Sequence, residues 1–502
     1  MRLEKVLLIA AISFLALAMP SGTVAQHARY RLVDLGTLGG PNSSVPGVFY
    51  EIGNGGSGAQ AISDSGTVTG IADTSTNDPL CYFDDCFYPN TFQWRNGTVT
   101  SVGALPGTYW SGPNWISGNG LIAGISETGQ NDPLLGLPNA HAVLWKNEKI
   151  TDLGTLPGGY ESFGFAVNNR GQVVGDATNG TLDPYSYFYG IAGINNGTQT
   201  RAFVWDRQRG MQDLGTLGGP DAWAAFVNDH GQIAGISFTS STPNTNNGPF
   251  CGANVPSQDP FFWEPGVGMI DIGTFGGTCG APQDLNNRGQ VVGGSYLDGN
   301  TVVHPFLWDK SQSPHLKDLG TFGGDNGTAN WISNSGLIVG SADFAGDEIH
   351  HAALWSGGAM TDLGTVGTDP CSRGYAVNSK GQIVGGSSDC NTFLHAFLWE
   401  KGGPMIDLNT FAPSGSDLTL TLATFINEHG VIAGNGMLSN GDTHAFVLVP
   451  CGNGDSDCSD SGAGPTPPMR ELRAPMKVNS RRAALRDTPN GMLHGFGRCF
   501  QP

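Results

Sequence analysis

Histidine returns to one fixed place in this chain, four residues ahead of a tryptophan: His141, His304, His351 and His395, with His444 in the same slot where Leu448 stands for the Trp. A ring of imidazoles could bind a metal or relay protons. A catalytic group is needed once, however, whereas a scaffold group is needed in every copy. The histidines therefore read first as hydrogen-bonding partners inside their own repeats. Asn90, Arg201 and Asp259 fill the slot elsewhere. The tryptophans (Trp94, Trp145, Trp205, Trp263, Trp308, Trp355, Trp399) could stack on sugars, but seven large rings at one repeat position read better as core between sheets.

The second set of chemical residues lies where the copies differ, which is where function usually sits. Tyr82, Phe83 and Tyr88 surround Asp84 and Asp85, and Tyr185, Tyr187 and Tyr189 follow Asp183. Exposed aromatics beside carboxylates suit a glycan or a protein partner. Alternatively, these loops fold over one another and cover the mouth of a ring. Carboxylates such as Asp84, Asp85 and Asp183 could hydrolyse or eliminate a polysaccharide if two of them stood about 5–10 Å apart. No C-x-x-C or G-x-S-x-G motif supports a zinc site or a serine hydrolase, and the Gly-Gly pairs lack a P-loop lysine. No catalytic residue, metal or cofactor is assigned.

What positions these residues is a repeat. Asp-Leu-Gly-Thr or a variant begins at Asp34, Asp152, Asp213, Asp271, Asp318, Asp362 and Asp407, with Ser101–Gly107 as a degenerate copy. A second element such as Ala376–Gly385 (AVNSKGQIVG) and a third such as His395–Trp399 (HAFLW) follow in each unit. Each unit offers four short strands, A to D, in about 45 residues, the size of a propeller blade. The phase is the sharper clue. The sequence places a lone D strand, Tyr30–Leu35, before the first unit, and the last unit has A, B and C only. The expectation is an all-β, eight-bladed propeller of four-stranded blades, closed by the N-terminal strand.

In that order the B–C loops and D–A connections share one face, and nearly all length variation falls there. The nine cysteines agree: Cys81 with Cys86, Cys251 with Cys279 and Cys371 with Cys390 could staple loops on that face. Residues 1–25 read as a secretory signal, too short in their apolar run for a span. Residues 26–450 are the repeat domain. Residues 451–502 read as a Pro/Ser/Gly linker and a basic disordered tail. The net charge of −19 argues against nucleic acid, and no later segment is apolar enough to span a membrane.

His-Ala-Phe-Leu-Trp (His395–Trp399), Asp213–Gly219 (DLGTLGG) and Asn168–Gly175 (NNRGQVVG) resemble the HAF repeat family of probable extracellular bacterial proteins. The resemblance covers roughly residues 30–450 and implies an exported repeat protein, secreted or periplasmic, with no chemistry to carry over. The first units depart from it: Asn90–Trp94 lacks the His and Ser101–Gly107 lacks the Asp. Together these readings favour a non-enzymatic propeller that binds a glycan or envelope partner through its long-loop face. A polysaccharide hydrolase or lyase and a purely structural repeat are the alternatives.

Overall fold

The computed structural model describes residues 30–46, 59–79, 85–134, 136, 138–184, 197–247, 251 and 254–452. The signal segment, nearly all of the tail, Cys81 and the residues around the loop aromatics lie outside them. Within them the chain is all-β, with one 3-10 turn at Leu408–Phe411. No helix among the described residues is long and apolar enough to cross a membrane.

The strands form four-stranded antiparallel sheets. Five sheets stand alone. A twelve-stranded sheet consists of three such meanders, linked by single parallel bridges at Gln258↔Cys279 and Val303↔Asn326. Taken in chain order these meanders are units 1 to 8. Unit 7 is typical: Cys371–Val377 (A), Ile383–Ser388 (B), Phe393–Trp399 (C) and Ile406–Asp407 (D). Unit 8 supplies Thr419–Ile426, Ile432–Met437 and Thr443–Pro450, and its fourth strand is Tyr30–Asp34, paired from Tyr30↔Pro450 to Asp34↔Phe446.

Two sequence features make each unit. Strand B carries a glycine at its centre because strand A bulges against it. The register slips at Gly374/Ala376 in unit 7, and a Cβ on Gly385 would lie 1.9 Å from the Arg373 carbonyl oxygen. On the other side, a strand-C phenylalanine lies opposite the glycine in all but units 2 and 6, which hold Val143 and Ala353 there; Phe92, Phe203, Phe261, Phe306, Phe397 and Phe446 are all fully buried.

The Asp-x-Gly of the first element has a similarly local cause. In Asp318, Oδ1 accepts the Gly320 N–H (2.7 Å), and Gly320 takes φ +74°, a conformation that glycine adopts without a steric cost. Asn409 occupies the glycine position in the seventh copy. There Asp407 caps Asn409 instead, and the 3-10 turn follows.

Hydrogen bonds tie each unit to the next. The Nδ2 of Asn168, Asn228, Asn286 and Asn378 donates to a carbonyl of the following unit, at Asn228, Asn286, Ser333 and Asn427. Asn427 donates in turn to Ser63 of unit 1 (3.2 Å). Strand-C amides do the same at the other end, from Ala142 to Ser162 Oγ (2.8 Å) and from Ala445 of unit 8 to Ser43 Oγ of unit 1 (3.0 Å). Strand-A aromatics from the even units meet in one cluster. Trp115 stacks on Trp331 (5.9 Å, 17°) and meets Phe226 edge-on, while Trp331 meets Phe425 edge-on. The odd units hold Ala61, Ala166, Asp284 and Ala376 at the same place.

Candidate functional site

The histidine slot behaves as a clasp between strands C and D. Nδ1 of His141, His304, His351 and His444 lies 2.7–2.9 Å from Asp152, Asp318, Asp362 and Asp34, the first residue of the Asp-Leu-Gly-Thr element in each unit. One carboxylate thus orders its own turn and holds the imidazole across the sheet. His395 takes Asp369 instead (2.8 Å), while Asp407 accepts from the N–H and Nδ2 of Asn409. Arg201 keeps the clasp with Asp213 (2.9 Å). Asp259 faces Asp271, so two acids meet where the other units pair opposite groups. Burial, then the charge and hydrogen bond of Asp271, push Asp259 up to about 7. Among the described residues no group of three or more His, Cys, Asp or Glu is gathered that could hold a metal ion.

The B–C loops and D–A turns project from one edge of the sheets, and the disulfides lie there. Cys251 is joined to Cys279 and Cys371 to Cys390, with Cα separations of 5.9 and 4.9 Å. Cys86 and Cys451 are also disulfide-bonded, and the expected partner of Cys86, Cys81, lies outside the described residues.

Of the residues proposed for ligand contact, Tyr82, Phe83, Asp84, Tyr185, Tyr187 and Tyr189 lie outside the described residues. Tyr88 stacks on Tyr109 (5.3 Å, 25°), whose ring is 59% exposed. The phenol of Tyr88 is raised by burial first and then by Asp78 and Glu127. Asp85 accepts the Asn42 Nδ2 (2.7 Å) and the Phe87 N–H (3.1 Å). It also shares a hydrogen bond with Asp73, whose carboxyl is pushed up to about 8 by burial, then by that bond and the charge of Asp85. Asp183 is buried in unit 3. Asp85 and Asp183 therefore sit in different units, and the carboxyl that accompanies Asp85 touches it. A touching pair leaves no gap for a glycosidic bond between two acids.

Two D–A turns add residues that the repeat-based reading passed over. Tyr109 and Tyr160 reach the surface from the turns before units 2 and 3, in Leu-Pro-Gly-x-Tyr where other copies have Gly-Gly. Leu134, from the B–C loop of unit 2, and Leu182, the last residue of strand B in unit 3, are exposed on the same edge. Beneath them the seams are acidic. Asp78 and Glu127 lie between units 1 and 2, and Asp132, Glu161 and Asp176 lie between units 2 and 3. Burial and then Asp132 and Asp176 push Glu161 up to about 8. The readable signal was an Asp-Pro pair opening three successive B–C loops, at Asp78, Asp132 and Asp183.

These shifts predict an acid-favouring stability. Asp73, Glu161, Asp259 and Asp284 rise to about 7–8 and Asp343 to about 6, each mainly through burial. A carboxyl raised on folding contributes stability that is complete below its unfolded value near 4 and is lost as pH climbs through the folded value. His350 works oppositely. Burial and then Arg373 hold it down to about 3, so its contribution fades as pH falls below its unfolded value. Five carboxyls outweigh one imidazole, and the melting temperature should fall steadily from pH 5 to pH 8.5. Asp73→Asn, which mimics the protonated acid, should shallow that fall. A melting temperature that rises across this range in scanning fluorimetry would refute the assignment.

No family model matches the chain, and none of the curated proteins matches it. Solved structures with weak likeness include a gluconolactonase from Xanthomonas campestris (11% identity, TM-score 0.26, 50% of this chain and 79% of that one). The Dos1 propeller matches at 10% identity and TM-score 0.41, over 84% of this chain and 95% of that one. A protein of unknown function from Dyadobacter fermentans matches at 9% identity and TM-score 0.31, over 82% and 100%. Similarity at this level carries no argument about chemistry.

Proposed function

We propose that the chain is an exported, non-enzymatic propeller that binds a glycan through the long-loop edge of units 1 to 3. The observation that carries this reading is the placement of Tyr109, Tyr160, Leu134 and Leu182, which are exposed together on that edge. Aromatic rings at a surface, flanked by Asp and Asn side chains, present an apolar face and directed hydrogen bonds, the two things a sugar ring needs. The disulfides on the same edge support export, since such bonds persist in oxidising compartments. The resemblance to HAF repeats points the same way.

Closure of the eight units into a ring belongs to this proposal. It is supported by the Tyr30–Asp34 strand in unit 8, by the Asn427–Ser63 and Ala445–Ser43 bonds, and by Trp115 meeting Trp331 from four units away. In a closed ring the loop edges of all units face one way, which gives a continuous binding surface.

Affinity electrophoresis against a panel of soluble polysaccharides, run beside turnover assays, tests the reading. Tyr109→Ala with Tyr160→Ala should weaken retention about tenfold or more, each lost stacking face costing on the order of 1 kcal/mol. The melting temperature should barely change, because both rings are solvent-facing. Turnover that disappears in Asp85→Asn would replace binding with catalysis.

A further inference from the structure

The two edges of the sheets differ in charge. Among the described lysines and arginines only Arg201 and Arg373 point toward the long-loop edge, and both are engaged. Arg201 is held by Asp213 and by the Pro220 carbonyl (3.0 Å), and Arg373 Nε donates to His350 Nε2 (3.1 Å). The others, such as Lys146, Arg170, Arg288 and Lys380, stand at or beside the opposite A–B and C–D turns. The long-loop edge bears acids almost alone, and they concentrate under its exposed rings.

Between units 2 and 3 the charges that act on Glu161 among the described residues are those of the acids Asp132 and Asp176. Glu161 is 2% exposed and Asp176 8%, yet Glu161 Oε2 and Asp176 Oδ1 have no hydrogen-bond partner. Unpartnered buried acceptors are costly, and acids behind low-dielectric walls project their field outward. Tyr160 stands at the surface next to Glu161 in the chain, as Tyr109 stands beside the Asp78–Glu127 seam.

We propose that the glycan bound here is cationic: a polymer of amino sugars whose ammonium groups lie over these two acidic seams while sugar faces rest on Tyr109 and Tyr160. The inference rests on the glycan reading above and adds the charge class. A cation over the seam restores the ionised carboxylates that burial otherwise neutralises, and it sits well against the tyrosine faces. A neutral glycan keeps only the stacking. An anionic one is repelled across the whole edge, with no free lysine or arginine among the described residues to meet it.

The test uses the full mature chain and three oligosaccharides of equal length: a trimethylated chitosan, whose charge does not depend on pH, its N-acetylated counterpart, and an alginate. Calorimetry at neutral pH and low salt should show the trimethylated oligomer binding about tenfold tighter than the N-acetylated one, in the range of electrostatic steering. High salt should erase that gap, and so should Glu161→Gln with Asp132→Asn. Asp78→Asn supplies a second, independent seam should the first pair fail to fold. Equal binding of charged and N-acetylated oligomers would overturn the charge inference and leave the glycan reading standing, whereas tighter alginate binding would overturn it outright. Failure of all three to bind would remove both.

Discussion

Trp355→Ala should lower the unfolding free energy by about 3–5 kcal/mol, the cost of emptying a large buried aromatic site. Trp355 is 4% exposed and packs with Ile332, Ile338 and Met360 of its own unit and with Val292 and Leu307 of the unit before. Its Nε1 donates to the Leu319 carbonyl (3.0 Å), so the truncation empties a space between sheets and also orphans a carbonyl there. Trp355→Phe keeps a six-membered ring in the space while removing the donor and the rest of the indole, so it should cost less, about 1–3 kcal/mol. Denaturant titration followed by far-UV dichroism measures both. A Trp355→Ala protein that unfolds at the wild-type midpoint would show that the strand-C tryptophans do not hold the sheets together.

The second large effect concerns a residue with no side chain. Gly385→Ala places a Cβ 1.9 Å from the Arg373 carbonyl oxygen and 2.7 Å from the Phe397 ring. The ring could shift, but the carbonyl belongs to a strand already bulged to accommodate the glycine, so backbone must move. Overpacking of this kind costs about 1–3 kcal/mol, and more where backbone blocks relaxation. The control is Gly402→Ala. Gly402 has positive φ (86°) with open space around it, whereas Gly385 is not at positive φ, so Gly402→Ala should pay only the smaller cost of an unfavourable backbone conformation. A loss in Gly385→Ala no larger than that in Gly402→Ala would mean that the strand-A carbonyl does not dictate glycine in strand B.

How much of this was legible in the sequence depends on the range of the interaction behind each feature. The Asp-x-Gly turn, the strand-B glycine and the strand-C phenylalanine act within one unit, so most repeats display them again and copying makes them readable. The disulfides Cys251–Cys279 and Cys371–Cys390 followed from strand order alone, since loops on one edge come close. The alternation of Trp115, Phe226, Trp331 and Phe425 with smaller residues was also written in the chain. Its meaning, rings that meet from alternate units, needs the units arranged in space.

The candidate site was less legible, because it is built between units. Tyr109 and Tyr88 are neighbours only once units 1 and 2 pack, and Asp85 acquires Asp73 only through pairing within unit 1. Glu161 looks like an ordinary turn residue until the packing of units 2 and 3 removes water from it and sets Asp132 and Asp176 nearby. By itself the sequence determined an all-β repeat of four-stranded units, the strand order of each and the edge that carries variation, because backbone geometry and short-range sterics decide those. Tertiary structure alone decided which acids lose their solvent and which aromatics stay outside. Desolvation is a property of packed surfaces, and no local pattern of residues encodes it.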